Sequence, residues 1–255
     1  MKRLAILLAP WALIALLLGS WEWACRALQV PTYFLPPPSA IAVTLAHDWP
    51  SLLQAAGYTL SNALAALVLA SLIGQGLALA VTVSRILERA VQPITVVLQV
   101  TPVIAIAPLV NIWAGTDHPE RALIALATIV AFFPIYSGAV TGLRSADPDL
   151  VRLFDLYGAN RFQALARLRL PSAMPFLLEG HKVAAGLAIV GTVVAEFVAG
   201  SGKVQGLAWR ILDASFKLET AKMFAALVVL GALGMALYAV LAAVERAGLK
   251  WWRGR

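Results

Sequence analysis

Few side chains in this sequence are arranged to do chemistry. The nearest approach to a nucleotide-binding motif is Gly200-Ser201-Gly202-Lys203-Val204. A P-loop, GxxxxGK[ST], also needs an earlier glycine and a hydroxyl residue after the lysine to bind magnesium, and both are missing here. Neither a GxSxG nucleophile elbow nor an HExxH zinc motif occurs. The sequence therefore predicts that this chain is not an enzyme and does not itself hydrolyse ATP.

Metal and thiol chemistry are equally poorly supported. His47, His118 and His181 lie far apart and show no ligand spacing. Cys25 is the single cysteine, so no internal disulfide is possible. We predict no metal site and no cofactor.

One acidic residue, Glu196, stands inside a long uncharged run. It follows Lys182 on the same predicted helix at a separation of about 21 Å, from a rise of about 1.5 Å per residue. If Lys182 reaches the inner membrane interface, Glu196 lies in the outer third of a hydrocarbon core about 30 Å thick. We interpret Glu196 as a pathway or gate residue. The alternative for Glu196 is an interfacial carboxylate that reaches water. Separately, we interpret Glu179 and Lys182 as a pair that anchors the helix at the interface.

The composition indicates which solvent surrounds these residues. Of the 255 residues, 61% are hydrophobic and only 13% are charged, whereas a soluble domain carries about a quarter charged residues. The net charge is +7, but the basic residues lie between apolar runs. This arrangement favours lipid headgroups as the partner and argues against nucleic acid.

The apolar runs predict an all-α, polytopic protein with six transmembrane helices. A span needs roughly 20 apolar residues, and the run after Lys2-Arg3 is too long for a typical signal peptide. Five stretches carry no charge, and a sixth contains Glu179, His181, Lys182 and Glu196. The predicted spans are 4–21, 49–84, 90–116, 122–143, 175–197 and 223–244.

The positive-inside rule orients these spans with both termini in the cytoplasm. That orientation places 14 of the 20 lysines and arginines in inner segments. It predicts an outer turn at 115–120 and an outer loop at 199–222. Ser39 is predicted to cap a short outer helix that runs through His47. The segments are then the first transmembrane helix (1–24), a periplasmic segment (25–54), a five-helix core (55–245) and a cytoplasmic basic tail (246–255).

The inner loop 144–174 is predicted to be a helix–glycine–helix hairpin. Asp147-Pro148 is typical of a helix start, and Gly158 suits a left-handed C-terminal cap. A second helix over 160–169 is predicted to end at Leu170-Pro171. An apolar stripe at i, i+3, i+4 and i+7 spacing runs along the first helix at Leu150, Leu153, Phe154 and Tyr157. From the pattern alone, the hairpin either rests on lipid headgroups or docks a cytoplasmic protein.

The hairpin resembles a known motif. Gly158, Leu168, Leu170 and Pro171 match the spacing of the EAA loop, EAA-x3-G-x9-I-x-L-P, which marks permeases of binding-protein-dependent ABC importers. Leu168 replaces the usual isoleucine, and the positions of E-A-A are occupied by Arg152-Leu153-Phe154. The glycine and the Leu-Pro pair preserve the shape of the loop, although the usual acidic contact is absent.

The resemblance covers most of residues 35–245. The run 102–109, then Trp113 and Gly115, is similar to the third span of the nitrate/sulfonate/taurine branch. The run 171–175, then Ala195-Glu196, is similar to the fifth span of that branch, and Gly206-Leu207 matches the glycine-leucine that follows it.

The resemblance implies a function and a set of partners. The chain would be the permease subunit of an ATP-driven importer in the bacterial inner membrane, moving a small anionic or heterocyclic solute inward by alternating access. Its partners would be a second copy of itself, a cytoplasmic ATP-binding subunit and a periplasmic solute-binding protein. The residues implied to couple it to the ATPase are Arg152, Leu153, Phe154, Tyr157, Gly158, Ala159, Arg161, Leu168, Leu170 and Pro171.

Two other readings of the sequence remain. An ion-coupled secondary transporter would carry internal repeats and broken helices at matching positions, and no repeat is visible. A membrane-embedded enzyme would need several ionisable residues at depth, whereas Glu196 is the one candidate.

Pro102 and Pro108 remove backbone hydrogen bonds inside the third span, which indicates either a pathway-lining helix or a simple kink.

Overall fold

The chain is helical throughout, with short connections, in the part that the structure describes. The structure is a computed structural model and describes residues 2–115, 118–199 and 205–253. The predicted all-α class is confirmed for these residues. The helices are α1 (Lys2–Ala27), α2 (Pro38–His47), α3 (Trp49–Val83), α4 (Arg85–Val100), α5 (Val103–Ala114), α6 (Pro119–Arg144), α7 (Pro148–Leu156), α8 (Arg161–Ala164), α9 (Leu170–Ala199), α10 (Leu207–Phe216) and α11 (Thr220–Arg253).

Two predicted features fall partly on residues that the structure leaves out. The outer turn 115–120 includes residues 116 and 117, which lie outside the described residues. The Gly-Ser-Gly-Lys segment of the outer loop 199–222 lies in 200–204, also outside them. The described remainder of that loop contains α10, a helix of 10 residues.

The helices support four to five membrane spans. Four described helices are long and apolar enough to cross a bilayer, namely α3, α6, α11 and a continuous helix over Arg161–Val198 that contains α9. The pair α4 and α5 meets the same criterion together. The predicted first span, 4–21, lies within α1, where the side chains of residues 1–8 are not described. Six spans with both termini inside therefore remain a prediction.

The third predicted span, 90–116, is not one continuous helix. α4 ends at Val100 and α5 begins at Val103, and the two helices meet at an angle of 103°. The break falls at Thr101-Pro102, because Pro102 has no N–H to continue the helical hydrogen bonds. The carbonyl of Val97 accepts both the backbone N–H of Thr101 at 3.0 Å and the Thr101 hydroxyl at 2.6 Å, so the last turn of α4 is closed directly before the break. Such a bend forms either a broken span or a re-entrant loop.

The described residues fall into two compact units. One unit comprises Met1–Tyr58 and Gln205–Gly231, and the other comprises Thr59–Val204 and Ala232–Arg255. The first unit joins α1 and α2 to α10, which lies far away in the sequence. Within it, the rings of Trp21 and Phe224 lie 5.7 Å apart, and the Thr220 hydroxyl donates to the carbonyl of Tyr33.

The predicted cap of the short outer helix is wrong by two residues. Pro37 occupies the N-cap of α2, and Pro38 begins the helix. Ser39 does not cap through its own side chain. Instead, its backbone N–H and its hydroxyl donate to the Glu22 carboxylate of α1 at 3.0 and 2.8 Å. An acceptor from another helix thus satisfies an N-terminal donor that a local cap would otherwise have bonded.

In the second unit, α6 and α9 approach each other through glycines. A Cβ added to Gly138 would lie 2.9 Å from the carbonyl oxygen of Phe176, and one added to Gly180 would lie 2.9 Å from that of Pro134. Gly138 and Gly142 form a GxxxG pattern on α6, which brings helix backbones close together in lipid. Such packing replaces the hydrophobic effect as the source of helix association in the membrane.

Candidate functional site

The hairpin begins at a capped helix start. The Asp147 side chain accepts a hydrogen bond from the backbone N–H of Asp149 at 2.8 Å, and Pro148 is the first residue of α7. This geometry satisfies one of the free donors that every helix start leaves. The N-cap interpretation of Asp147-Pro148 is confirmed.

The turn of the hairpin depends on a left-handed residue. Gly158 has φ +67°, the conformation predicted for it as a C-terminal cap. The N–H of Ala159 donates back to the carbonyl of Phe154 at 2.9 Å, and the N–H of Gly158 donates to that of Asp155 at 3.0 Å. These bonds satisfy carbonyl groups at the end of α7 and fix the direction of the chain.

The second arm starts with a reciprocal cap that the sequence analysis missed. The Asn160 side chain accepts from the Gln163 N–H at 2.9 Å, and the Gln163 side chain accepts from the Asn160 N–H at 2.9 Å. Asn-x-x-Gln directly after a glycine is a visible pattern for such a capping box. The cap makes the turn between the two arms a defined structure, because both free N–H groups are bonded.

The predicted stop at Leu170-Pro171 is wrong. The second arm continues without a break through the π-helical turn Leu165–Arg169 into α9. The Leu170 N–H donates to the carbonyl of Leu165, which widens the helix directly before Pro171. The wider turn gives the proline ring room, and the Trp252 indole donates to the carbonyl of Pro171 at 2.7 Å. The hairpin is therefore a direct extension of a membrane-spanning helix.

The hairpin leaves apolar side chains uncovered. Tyr157 and Phe162 are each 83% exposed, and Leu156 is 84% exposed. Leu150 and Leu153 are 45% and 43% exposed, so much of the predicted stripe is only partly covered by the described chain. Apolar side chains grouped in this way mark a surface that meets lipid or a partner protein.

Other predicted coupling residues line a cavity behind that surface. The cavity has a volume of about 560 Å³ and lies between the end of α3 and the hairpin. Leu168 is buried there. Arg152 instead points away and pairs with Asp149 at 3.2 Å, while Leu170 is exposed. The predicted residues on the cavity wall are Phe154, Ala159, Arg161 and Leu168.

Glu196 is completely buried. The Thr59 hydroxyl of α3 donates to its carboxylate at 2.8 Å. The Glu196 carboxylate therefore does not reach water in the structure, contrary to the alternative interpretation. An acidic side chain buried inside a membrane span is energetically costly, and such residues usually serve a function. A role for Glu196 in the pathway is therefore retained as a proposal.

Two polar groups on α9 face partners from distant segments. Lys182 pairs with Glu179, as the sequence predicted, and also with Glu245 of α11 at 2.9 Å. His181 bonds Ser71 at 2.8 Å and Gln75 at 3.0 Å, while its Nδ1 donates to the carbonyl of Leu177. Ser71 and Gln75 are four residues apart on α3, a spacing that places them on one helix face. That spacing could have indicated a polar patch, but not its partner.

Comparison with known families decides the identity of this helical membrane protein. Residues 66–248 match the family model described as the binding-protein-dependent transport system inner membrane component. The chain belongs to this family. The matched region of the permease contains the hairpin, the π-helical turn and the buried Glu196.

Individual relatives support the same assignment. The permease is 33% identical to the riboflavin transport system permease protein of Chloroflexus aurantiacus, over 93% of this chain and 88% of that protein. It is 31% identical to the formylaminopyrimidine transport permease protein of Halalkalibacterium halodurans, over 98% of each. It is 28% identical to the taurine transport system permease protein of Escherichia coli, over 93% and 87%. The resemblance to the nitrate/sulfonate/taurine branch is thereby confirmed, and the chain is a multi-pass transport permease.

Proposed function

We propose that this permease is the translocation subunit of an ATP-driven importer, in which a separate chain hydrolyses ATP. The observation that carries the proposal is the capped hairpin at Gly158, which exposes Tyr157 and Phe162 and continues directly into α9. A loop that only connected two spans would need neither defined turn geometry nor uncovered aromatic side chains. An ATPase bound to this surface would move α9 together with the hairpin.

The proposed mechanism is alternating access. Because the helix continues from the hairpin into α9 without interruption, a displacement of the hairpin is transmitted along this helix to Glu196. Glu196 is the proposed gate, since any opening there must rearrange its bond to Thr59. The break at Pro102 and the helix that holds Pro108 are the proposed flexible part of the pathway.

The proposed partners follow from this role. A second copy of the permease completes the pathway, a cytoplasmic ATP-binding subunit docks on the hairpin, and a periplasmic binding protein delivers the solute in the bacterial inner membrane. The relatives are named for riboflavin, formylaminopyrimidine and taurine transport. We therefore propose a small heterocyclic or anionic solute, selected mainly by the binding protein.

The function is tested by solute accumulation in right-side-out membrane vesicles from cells that express the permease. The vesicles are loaded with ATP and supplied with periplasmic extract. Their solute content is then measured by mass spectrometry and compared with that of vesicles lacking the permease. Accumulation that requires internal ATP and persists with a protonophore is expected. Accumulation that the protonophore abolishes would instead support an ion-coupled transporter.

We predict six spans with both termini in the cytoplasm. Reporter fusions at Gly115 and Lys203 should then be periplasmic, and one at Asn160 should be cytoplasmic, because the inner segments hold most of the basic residues. The fusion at Gly115 also tests the bend between α4 and α5. A cytoplasmic result at Gly115 would identify a re-entrant loop and reject the six-span topology.

We predict that the permease is a homodimer. A single chain offers few polar side chains for a pathway, and the two-fold dimer is the commonest closed homo-oligomer among soluble proteins. Chemical cross-linking of intact membranes should give a band at twice the mass of the chain. A monomer that still carries bound ATPase would contradict this prediction.

A further inference from the structure

A second cavity lies within the first unit and is strongly polar. Its volume is about 220 Å³. It is formed by the junction of α2 and α3, by α10 and by the start of α11, all of which belong to predicted outer segments. The charged residues on its wall are Asp48, Arg210, Asp213, Lys217, Glu219 and Lys222.

Most of these charges are already paired. Lys217 lies 2.7 Å from Asp213, and Lys222 lies 3.0 Å from Glu219. The remaining carboxylate, Asp48, bonds the exposed ring of His47 at 2.8 Å. The positive charges of the two lysines are therefore largely neutralised by these carboxylates before any ligand binds.

Arg210 is different from the two lysines. Among the residues that the structure describes, its side chain makes no ion pair and no hydrogen bond, and its Nε is buried without a partner. A guanidinium is permanently charged and presents five donors in a planar fork. A buried donor of this kind is normally satisfied, so its position on a cavity wall indicates a ligand acceptor.

We propose that Arg210 binds the oxyanion group, a carboxylate or a sulfonate, of the transported solute at the outer mouth of the permease. The planar fork of arginine matches two oxygens of such a group. Each lysine on the wall has a carboxylate partner and Asp48 bonds His47, so Arg210 is the one described cation of the cavity without an acidic partner, which suits a solute that brings a single negative charge. This inference rests on the proposed function and topology, because the cavity must face the side from which the solute arrives.

A carboxylate on the binding protein would offer Arg210 the same chemistry, so the test uses free anions without that protein. Ethanesulfonate and acetate are titrated against the permease in nanodiscs, with intrinsic tryptophan fluorescence as the readout, since Trp209 adjoins Arg210. We expect saturable binding of at least one anion. Arg210→Gln should raise its Kd at least tenfold, whereas Arg210→Lys should have a smaller effect because charge without the fork is retained.

Arg121→Gln is the matched control. Arg121 is exposed and does not line this cavity, so the same loss of a guanidinium there should change the Kd less than twofold. The thermal midpoint of Arg210→Gln without ligand should not fall, because the change removes an unpartnered buried donor. A fall in the midpoint with unchanged anion binding would show a purely structural arginine and overturn the proposal.

Two further results would also overturn it. One is the absence of binding by either anion. The other is unchanged anion binding in Arg210→Gln together with lost association of the binding protein, which would assign Arg210 to a protein carboxylate. Because anion binding needs neither ATP nor the ATPase, failure here leaves the proposed importer function standing, and failure of ATP coupling leaves this site standing.

Discussion

Gly158→Val is expected to leave the permease in the membrane and to abolish ATP-driven uptake. Gly158 has φ +67°, and a β-branched residue in the left-handed region costs about 1–2 kcal/mol or more. An added Cβ would meet nothing within 4 Å, so backbone strain is the whole effect. That strain should distort the turn that presents Tyr157 and Phe162. Co-purification of the ATPase and solute uptake are measured in the same membranes.

The control is Gly158→Asn, since asparagine tolerates the left-handed conformation far better.

A second pair, Tyr157→Asp and Tyr157→Phe, separates docking from turn shape. Loss of one buried aromatic contact, about 1.5–3 kcal/mol, weakens docking roughly 10–100-fold, at about 1.4 kcal/mol per tenfold. Phe154→Asp should also uncouple the protein, because Phe154 supports the hairpin from the cavity side. Normal ATPase retention and uptake in Gly158→Val and Tyr157→Asp would show that the hairpin does not couple.

Gly180→Ala is expected to destabilise the second unit. The added methyl group would lie 2.9 Å from the carbonyl oxygen of Pro134, and a backbone atom cannot rotate away. Overpacking typically costs about 1–3 kcal/mol, and here α6 and α9 would have to separate. We expect a lower yield of monodisperse protein in detergent and a thermal midpoint several degrees lower.

Gly186 provides the comparison, because it lies on the same helix and an added Cβ there meets nothing within 4 Å. Gly186→Ala should be neutral or slightly stabilising, since alanine is favoured over glycine inside a helix by about 1 kcal/mol. Equal stability of the two variants would mean that α6 and α9 are not in close contact as described.

Local features were predictable because their causes lie close together in the sequence. The Asp147 cap and the left-handed Gly158 depend on hydrogen bonds that span only a few residues. The membrane class depends on composition and on the length of apolar runs. Each of these follows from the sequence pattern without any knowledge of the tertiary fold.

Features that depend on distant contacts were missed or misjudged. Ser39 was predicted to cap α2, but Glu22 of α1 supplies the acceptor. Glu196 was identified as unusual, yet its partner Thr59 stands 137 residues away. No periodicity in the sequence connects such pairs, because the packing of the helices brings them together.

Proline has different effects on the helix at two positions. Leu170-Pro171 was predicted to end a helix, but a π-helical turn accommodates the ring. Pro102 was predicted to disturb the third span, and the helix does break there. The difference is the hydrogen-bond register before each proline, which depends on the surrounding fold rather than on residue type.

Docking of an ATPase on the hairpin is the step on which the proposed function of this permease depends. The most direct measurement is ATP hydrolysis by material purified in mild detergent through a tag on this chain, from its native membrane. We expect ATPase activity that co-purifies with the tagged chain, is lost in Gly158→Val and is retained in Gly158→Asn. Correctly inserted permease that purifies without any ATPase activity would show that the hairpin does not carry an ATPase.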